Sequence, residues 1–383
     1  MNTAFIPYGQ QTIDEEDIRS VVDVLRGKWF TQGPKVEEFE NSLTKVCGAK
    51  YAVAVSSGTA ALHLAYKAAG LGRGDEMVTS PITFLATANA ALYNGAKPVF
   101  TDIDLRTGLI DVNEIKMTKK TKMIVPVHFA GSVCDMASIM TQAQRNGCAV
   151  IEDACHALGS EYSVGKKSYK VGSCQHSDMT VFSFHPVKHI TTGEGGAITT
   201  NNKEFYKKLL VLRSHGIVRD KVKLEKIPWY YEMQELGYNY RITDIQCALG
   251  ESQLKKLDAF VSRRKEIAAQ YKNAFQGLRY ISSLEEPESV RSAYHLFVIL
   301  IDFKGLKLSR AKVMQMFKQN GVGSQVHYIP VYKQPYYQRE VHGVKELKNA
   351  EKFYEQCLSI PIFPGMSDTD VQKVISAVKG LEE

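Results

Sequence analysis

The chain of 383 residues is long enough for a large core and two domains, and its 44% hydrophobic and 23% charged residues are those of an ordinary soluble protein. Its formal net charge of +7 is mild, and lysine clusters such as Lys116–Lys122 and Lys203–Lys208 read as solvated faces rather than a nucleic-acid footprint, although a modest positive field suits an anionic small molecule. No run approaches about 18 uninterrupted apolar residues, so no membrane span is expected, and the seven scattered cysteines, none in a Cys-x-x-Cys pair, indicate neither a metal site nor a disulfide framework.

Met1–Gln11 lacks the basic flank and apolar stretch of a secretory signal, and a cytoplasmic location is expected. Thr12 and Glu15 have capping-box spacing and predict a helix through about Arg26. Pro34 suits the first position of a second helix, ending near Cys47. The period then changes. Tyr51–Val55, Met77–Thr79, Pro98–Thr101, Met123–Val127 and Ala149–Ile151 read as strands. Between them, Ala60–Ala69, Phe84–Tyr93 and Met136–Gln144 read as helices. Strands alternating with helices predict a largely parallel sheet covered on both faces. Beyond residue 202 come a helix at Phe205–Leu212 and an aromatic, irregular stretch at Tyr230–Arg241. A second capping box, Thr243 with Gln246, opens a long helical stretch toward Ala274. A strand at Leu296–Ile301, a helix at Arg310–Gln319, a strand at Ser324–His327 and a last helix at Asp368–Val378 make a smaller α+β tail. The domain junction is expected within the long helix, giving residues 1–255 and 256–383.

One lysine stands out. Lys188 lies between the apolar run Met179–Phe182 and the β-prone run Ala197–Thr200, followed by Thr191-Thr192-Gly193-Glu194-Gly195-Gly196. A desolvated ammonium sheds its proton, and a neutral amine is a carbonyl nucleophile. Ser183 and the glycine-rich turn suit an anion held close to backbone, so the segment fits a lysine bound to pyridoxal 5'-phosphate; a buried lysine paired with a carboxylate would look the same. Ser57-Gly58-Thr59-Ala60 joins a strand to a helix start, where unsatisfied N–H groups favour a phosphate. An ordinary N-cap has the same residues. Asp153, at the end of an apolar strand, could hold a protonated pyridine nitrogen or cap a loop, and His156 could donate to a ring oxygen or serve structure. Phe84 could stack on a flat ring or fill the core.

Phosphate loop, stacking aromatic, aspartate, serine and lysine follow in that order. The motifs are Ser-Gly-Thr-Ala-Ala-Leu at 57–62, Glu-Asp-Ala-Cys-His-Ala-Leu-Gly at 152–159, Phe-Ser-Phe-His-Pro-Val-Lys at 182–188, Glu-Gly-Gly at 194–196 and Gly-Tyr-Asn-Tyr-Arg at 237–241. On these, and on Gly33-Pro34 and Val326-His327-Tyr328, essentially the whole chain resembles the fold type I sugar aminotransferases, which use pyridoxal phosphate to aminate nucleotide-linked keto sugars. The stretches His156–Tyr162, Arg213–Gly216 and Gln325–Tyr328 are similar to the branch that aminates C4 on the way to pseudaminic acid. Pro186 and Cys155 depart from the small residues common there.

The resemblance implies an α/β fold of that type: a mostly parallel central sheet in a large domain with an N-terminal helical arm, and a smaller C-terminal α+β domain. It implies that Lys188 carries the cofactor and moves the proton, Asp153 pairs with the pyridinium nitrogen, His156 orients the ring oxygen and Phe84 stacks on the ring. Gly58, Thr59 and Ser183 would hold the phosphate, and Asn239 would reach it from the neighbouring subunit of a homodimer with shared sites. Tyr8, Lys28, Thr31, His327 and Tyr328 would line the sugar-nucleotide pocket. The implied reaction converts a UDP-linked 4-keto-6-deoxy-N-acetylhexosamine to the 4-amino sugar with glutamate as donor; the alternative is a C4 aminotransferase of bacillosamine or perosamine type. Lys188 argues against the dehydratase branch, which carries histidine there. A pyridoxal-binding regulator would need a DNA-binding domain, for which no room is expected before the fold begins.

Overall fold

The apolar runs of the first half become the strands of one sheet in the computed structural model, which describes residues 5–341 and 347–382. The strands are β1 (Tyr51–Val55), β2 (Glu76–Thr79), β3 (Lys97–Phe100), β4 (Thr121–Val125), β5 (Ala149–Asp153), β6 (Glu161–Val164), β7 (Lys167–Lys170), β8 (Met179–Ser183) and β9 (Gly196–Thr200). Seven of them lie in the order β1-β9-β8-β5-β4-β2-β3. The run from β8 to β3 is parallel, and β9 is antiparallel to both neighbours. The expected mostly parallel sheet is therefore present. Helices α1 (Glu15–Arg26), α2 (Pro34–Cys47), α3 (Gly58–Ala68), α4 (Leu85–Tyr93), α5 (Met136–Asn146) and α6 (Lys203–Arg213) alternate with or flank these strands. Side chains of a strand alternate between faces. In β1, Ala52 and Ala54 accordingly enter one apolar core while Val53 and Val55 enter the other. Among the described residues no helix is long and apolar enough to cross a membrane.

The first capping box lies two residues beyond the expected Thr12 and Glu15. Asp14 caps α1, and Asp17 reaches back to the Asp14 N–H at 3.1 Å. The long-range partners decide the position: Asp17 is fully buried against Lys256 Nζ at 2.9 Å and Gln253 Nε2 at 2.7 Å, while Gln253 also donates to the Thr12 carbonyl at 2.9 Å. The same Lys256 interrupts the long helical stretch, which is two helices, Asp244–Leu254 and Leu257–Phe275. Ser324–His327 is not a strand. Gln325 alone bridges Ser359, and the next N–H, that of Val326, is taken by the Gln325 side chain at 2.9 Å. The sequence also concealed how α2 starts. Its N-cap is Gly33, which has no side chain to offer, and the distant Asp244 accepts from the Gly33 and Lys35 N–H groups at 2.8 and 3.0 Å.

The C-terminal unit has a three-stranded antiparallel sheet, Ile281–Ser283, Phe297–Ile301 and Cys357–Ile360. The helix Leu257–Phe275 packs Leu257 and Val261 into the core of the large sheet and Ile267, Tyr271 and Phe275 into that of the small one. The N-terminal segment joins the small unit too, because Ile6 bridges Val322 and packs in its core.

A buried polar knot fixes the end of β5. Glu152 accepts from His128 Nε2 at 2.7 Å, Thr180 Oγ1 at 2.6 Å and Ser177 Oγ. The backbone N–H of His128 donates to the Asp153 carbonyl at 3.0 Å. Burial alone would raise the Glu152 carboxyl, but these donors outweigh it and hold the group below its ordinary 4.5. Glu152→Ala leaves its donors unpaired, and denaturant titration should show a loss of about 3 kcal/mol. A carboxylate depressed in the folded state contributes stability that is complete above its ordinary value and is lost as pH falls through the lower folded value. Unfolding free energy should thus fall with pH below 4.5, and Glu152→Gln should flatten that fall.

Candidate active site

The carboxyl ends of the parallel strands meet at one edge of the sheet, where open α/β sheets bind ligands. Asp153 ends β5 and Ser183 ends β8. Because β9 returns antiparallel beside β8, the connection from Phe184 to Gly195 must turn at that same edge, and it carries Lys188 there. The first turn of α3 faces it. Ser57 caps this helix by accepting the Ala60 N–H at 3.1 Å, which leaves the N–H groups of Gly58 and Thr59 without an intrahelical partner. A Cβ on Gly58 would stand 2.8 Å from Ser183 Cβ, and one on Gly196 would stand 2.5 Å from the Ser57 carbonyl oxygen. Two glycines are thus what allows the ends of β1, β8 and β9 to close into a cradle of backbone donors for an anion.

Lys188 is half-buried. Burial lowers its ammonium from the ordinary 10.5, against the opposing pull of Cys155 and Asp153. Its Nζ lies 3.5 Å from His295 Nε2, and the His295 ring packs on His156 with centroids 4.3 Å apart. His156 Nε2 is 3.2 Å from the Tyr328 hydroxyl, and its buried Nδ1 has no partner. His327 bonds Ser359 Oγ through Nδ1 at 2.8 Å, and its ring centroid is 5.3 Å from that of Tyr8. Burial and then the charge of Lys188 push His156 well below the ordinary histidine value and His327 down to about 3, so both are neutral at physiological pH. Asp153 accepts from Thr87 Oγ1 at 2.6 Å through one oxygen and from the Cys155 N–H at 3.2 Å through the other, which orients the carboxylate and leaves lone pairs free. Phe84, at the start of α4, stays 58% exposed, with its ring centroid 6.4 Å from that of Tyr328.

Tyr8, Gly58, Phe84, Asp153, His156, Ser183, Lys188, His327 and Tyr328 are thereby joined through direct contacts or through the strand ends that carry them, with Thr59 beside Gly58 on α3. Three expected residues lie elsewhere. Thr31 bridges Thr243, Lys28 is exposed three residues before it, and Asn239 bridges Ser214; among the described residues, no hydrogen bond or ring contact joins them to the Lys188 group. Sequence reasoning missed His295 and Thr87. Thr87 lies one helical turn beyond Phe84, a spacing that marks a shared face; His295 has no such signal.

These residues fit pyridoxal phosphate. The cradle would take the phosphate, the carboxylate of Asp153 with free lone pairs would take a protonated ring nitrogen, and His156 Nδ1 is a buried polar atom without a partner among the described residues. When bound, the cofactor supplies an electron sink that stabilises negative charge on a substrate carbon.

Comparison with known proteins agrees. The chain is 41% identical over 374 residues to a UDP-4-amino-4,6-dideoxy-N-acetyl-beta-L-altrosamine transaminase of Campylobacter jejuni, covering 96% of this chain and 95% of that one. It superposes on Helicobacter pylori PseC, an aminotransferase involved in the biosynthesis of pseudoaminic acid, with a TM-score of 0.92 at 33% identity and 99% coverage of both chains. A sugar aminotransferase, Spr1654 of Streptococcus pneumoniae, solved in its PLP form, superposes with a TM-score of 0.90 at 30% identity, covering 99% of this chain and 98% of that one. Residues 11–379 match the DegT/DnrJ/EryC1/StrS aminotransferase family, and the chain belongs to this family of pyridoxal phosphate-dependent sugar aminotransferases.

Proposed function

We propose that this aminotransferase converts a UDP-linked 4-keto-6-deoxy-N-acetylhexosamine to its 4-amino sugar, with glutamate as donor, in a route to pseudaminic acid. The observation that carries the reading is the placement of a lysine of lowered pKa opposite a free helix N-terminus and beside an oriented aspartate, all at one sheet edge. The substrate follows from the Campylobacter and Helicobacter relatives, whose names give this sugar and this pathway.

In this reading Gly58, Thr59 and Ser183 bind phosphate, Asp153 holds a proton on the ring nitrogen, His156 orients the ring oxygen and Phe84 covers the ring face. Lys188 carries the cofactor, and its Nζ takes up a proton and returns it. Tyr8, His327 and Tyr328 line the sugar side. Lys28, Thr31 and Asn239 serve the site of a second copy, which explains their distance from Lys188 in their own chain. The segments around them leave Trp29, Phe30, Trp229, Tyr231, Met233 and Leu236 exposed. Large apolar side chains left bare on the surface ordinarily meet a partner.

Offered a panel of UDP-4-keto sugars with glutamate, the enzyme should release 2-oxoglutarate fastest with the 4-keto-6-deoxy-N-acetylhexosamine, and Lys188→Ala should abolish both the release and the internal-aldimine absorbance band of the purified protein. Turnover by the variant at near wild-type rate would refute the role of Lys188. Asp153→Asn should keep the cofactor and slow the half-reaction with glutamate by about a hundredfold or more in stopped-flow traces, because a neutral partner no longer favours the pyridinium. For the shared site, co-expression of inactive Lys188→Ala and Asn239→Ala chains should restore about a quarter of wild-type activity, since half the dimers are mixed and each holds one intact site. No recovery would place Asn239 in its own chain's chemistry or in none.

A further inference from the structure

We propose that His295 is a positioning residue for Lys188: its Nε2 accepts a hydrogen bond from the Nζ ammonium and fixes where the amine stands before and after it gives up its proton. The inference rests on Lys188 being the cofactor-bearing amine.

The backbone that carries His295 is built to hold it there. Strand Val290–Arg291 pairs with β6 and strand Phe297–Ile301 belongs to the small sheet, so the connection between them must pass along the wall of the site. Ala293 donates to Ser160 Oγ at 3.0 Å, and Ser160 donates in turn to the Gly131 carbonyl at 2.6 Å. Gly131, at φ 99°, lies so close that a Cβ there would stand 2.6 Å from the Tyr294 nitrogen. Arg264, 1% exposed, donates through Nη1 to the carbonyls of Tyr294 and His295 at 3.2 Å each and of Ile362 at 2.8 Å. A buried guanidinium whose bonds go to carbonyls rather than to a carboxylate is an anchor for backbone, and burial lowers it to about 10. Tyr294 takes φ 48°, which turns the next side chain back toward Lys188.

The side chain is not satisfied as a structural histidine would be. His295 is 4% exposed, yet Nδ1 has no partner and Nε2 faces Lys188 Nζ at 3.5 Å. The groups facing the pair are Asp153, Cys155 and His327 toward Lys188, Arg264 toward His295, and His156 and His189 around both. Burial first, then Lys188, His156, His189 and Arg264, keep His295 from taking a second proton. It is therefore an acceptor for the ammonium and not a rival base. A hydrogen bond from a charged donor is stronger than one from a neutral amine, so the contact favours the protonated form of Lys188 and limits how far burial lowers it.

The test titrates the amine without cofactor or substrate. Cofactor-free protein is pulsed with acetic anhydride across a pH series, and acetylation of Lys188 is quantified by peptide mass spectrometry. His295→Phe keeps the ring and removes the acceptor, and the midpoint should move down by about one pH unit. His295→Gln, whose amide oxygen reaches the place of Nε2, should stay near the wild-type midpoint. Melting temperatures report folding, and if the Phe variant does not fold, His295→Asn, too short to reach Nζ, should show the downward shift that Gln does not. An unchanged midpoint in Phe and Asn, or an upward one, overturns the proposal. The reading of Lys188 itself fails separately, through activity of Lys188→Ala.

Discussion

Everything at the site depends on one reversal of chain direction. A parallel strand normally hands the chain to a helix that carries it back across the sheet. β8 instead hands it to β9, its antiparallel neighbour, so the connection never leaves the carboxyl edge. Twelve residues between Ser183 and Gly196 are confined there, with Lys188 among them. The close approach of Gly196 to the Ser57 carbonyl then brings the start of α3 onto the same spot. Amine and anion cradle are thus consequences of one pairing choice, and Asp153 is added simply because β5 is the next strand in the parallel run.

Around this edge the protein uses burial more than charge. Four histidines, 156, 189, 295 and 327, surround a single lysine, and desolvation is the leading reason that each is held below its ordinary value. Neutral imidazoles orient and accept without repelling an ammonium. A strongly ionised knot, Glu152 with its donors, faces away from Asp153 by the alternation of β5, where it stiffens the strand end and leaves Asp153 to face the site.

What could be read from the sequence was what is local. Strand and helix periods, the Thr243 box and the order of motifs all depend on residues close in the chain, and the α/β class and the lysine–aspartate–serine constellation followed from them. What could not be read was set from a distance. The true first capping box sits at Asp14 because Gln253 and Lys256 meet Asp17. The helix predicted toward Ala274 breaks at that same lysine, and the cap of α2 comes from Asp244. His295 belongs to this group: it lies in the connection just before the apolar strand Phe297–Ile301, and only the fold turns it to Lys188. The hairpin of β6 and β7 escaped notice for a different reason. It is short, half exposed and mostly polar, so its period carries almost no hydrophobic contrast.

The helix Leu257–Phe275 has its first turns in one core and its last in the other. Such a helix is a strut. Close-packed interiors transmit displacement rather than absorb it, so the small unit cannot tilt against the large sheet without levering this rod about its middle. Arg264 stands at that fulcrum, and its three carbonyl bonds tie the rod to the wall behind Lys188 and to the segment after Cys357–Ile360. The back of the site and the seat of the C-terminal unit are therefore one mechanical part.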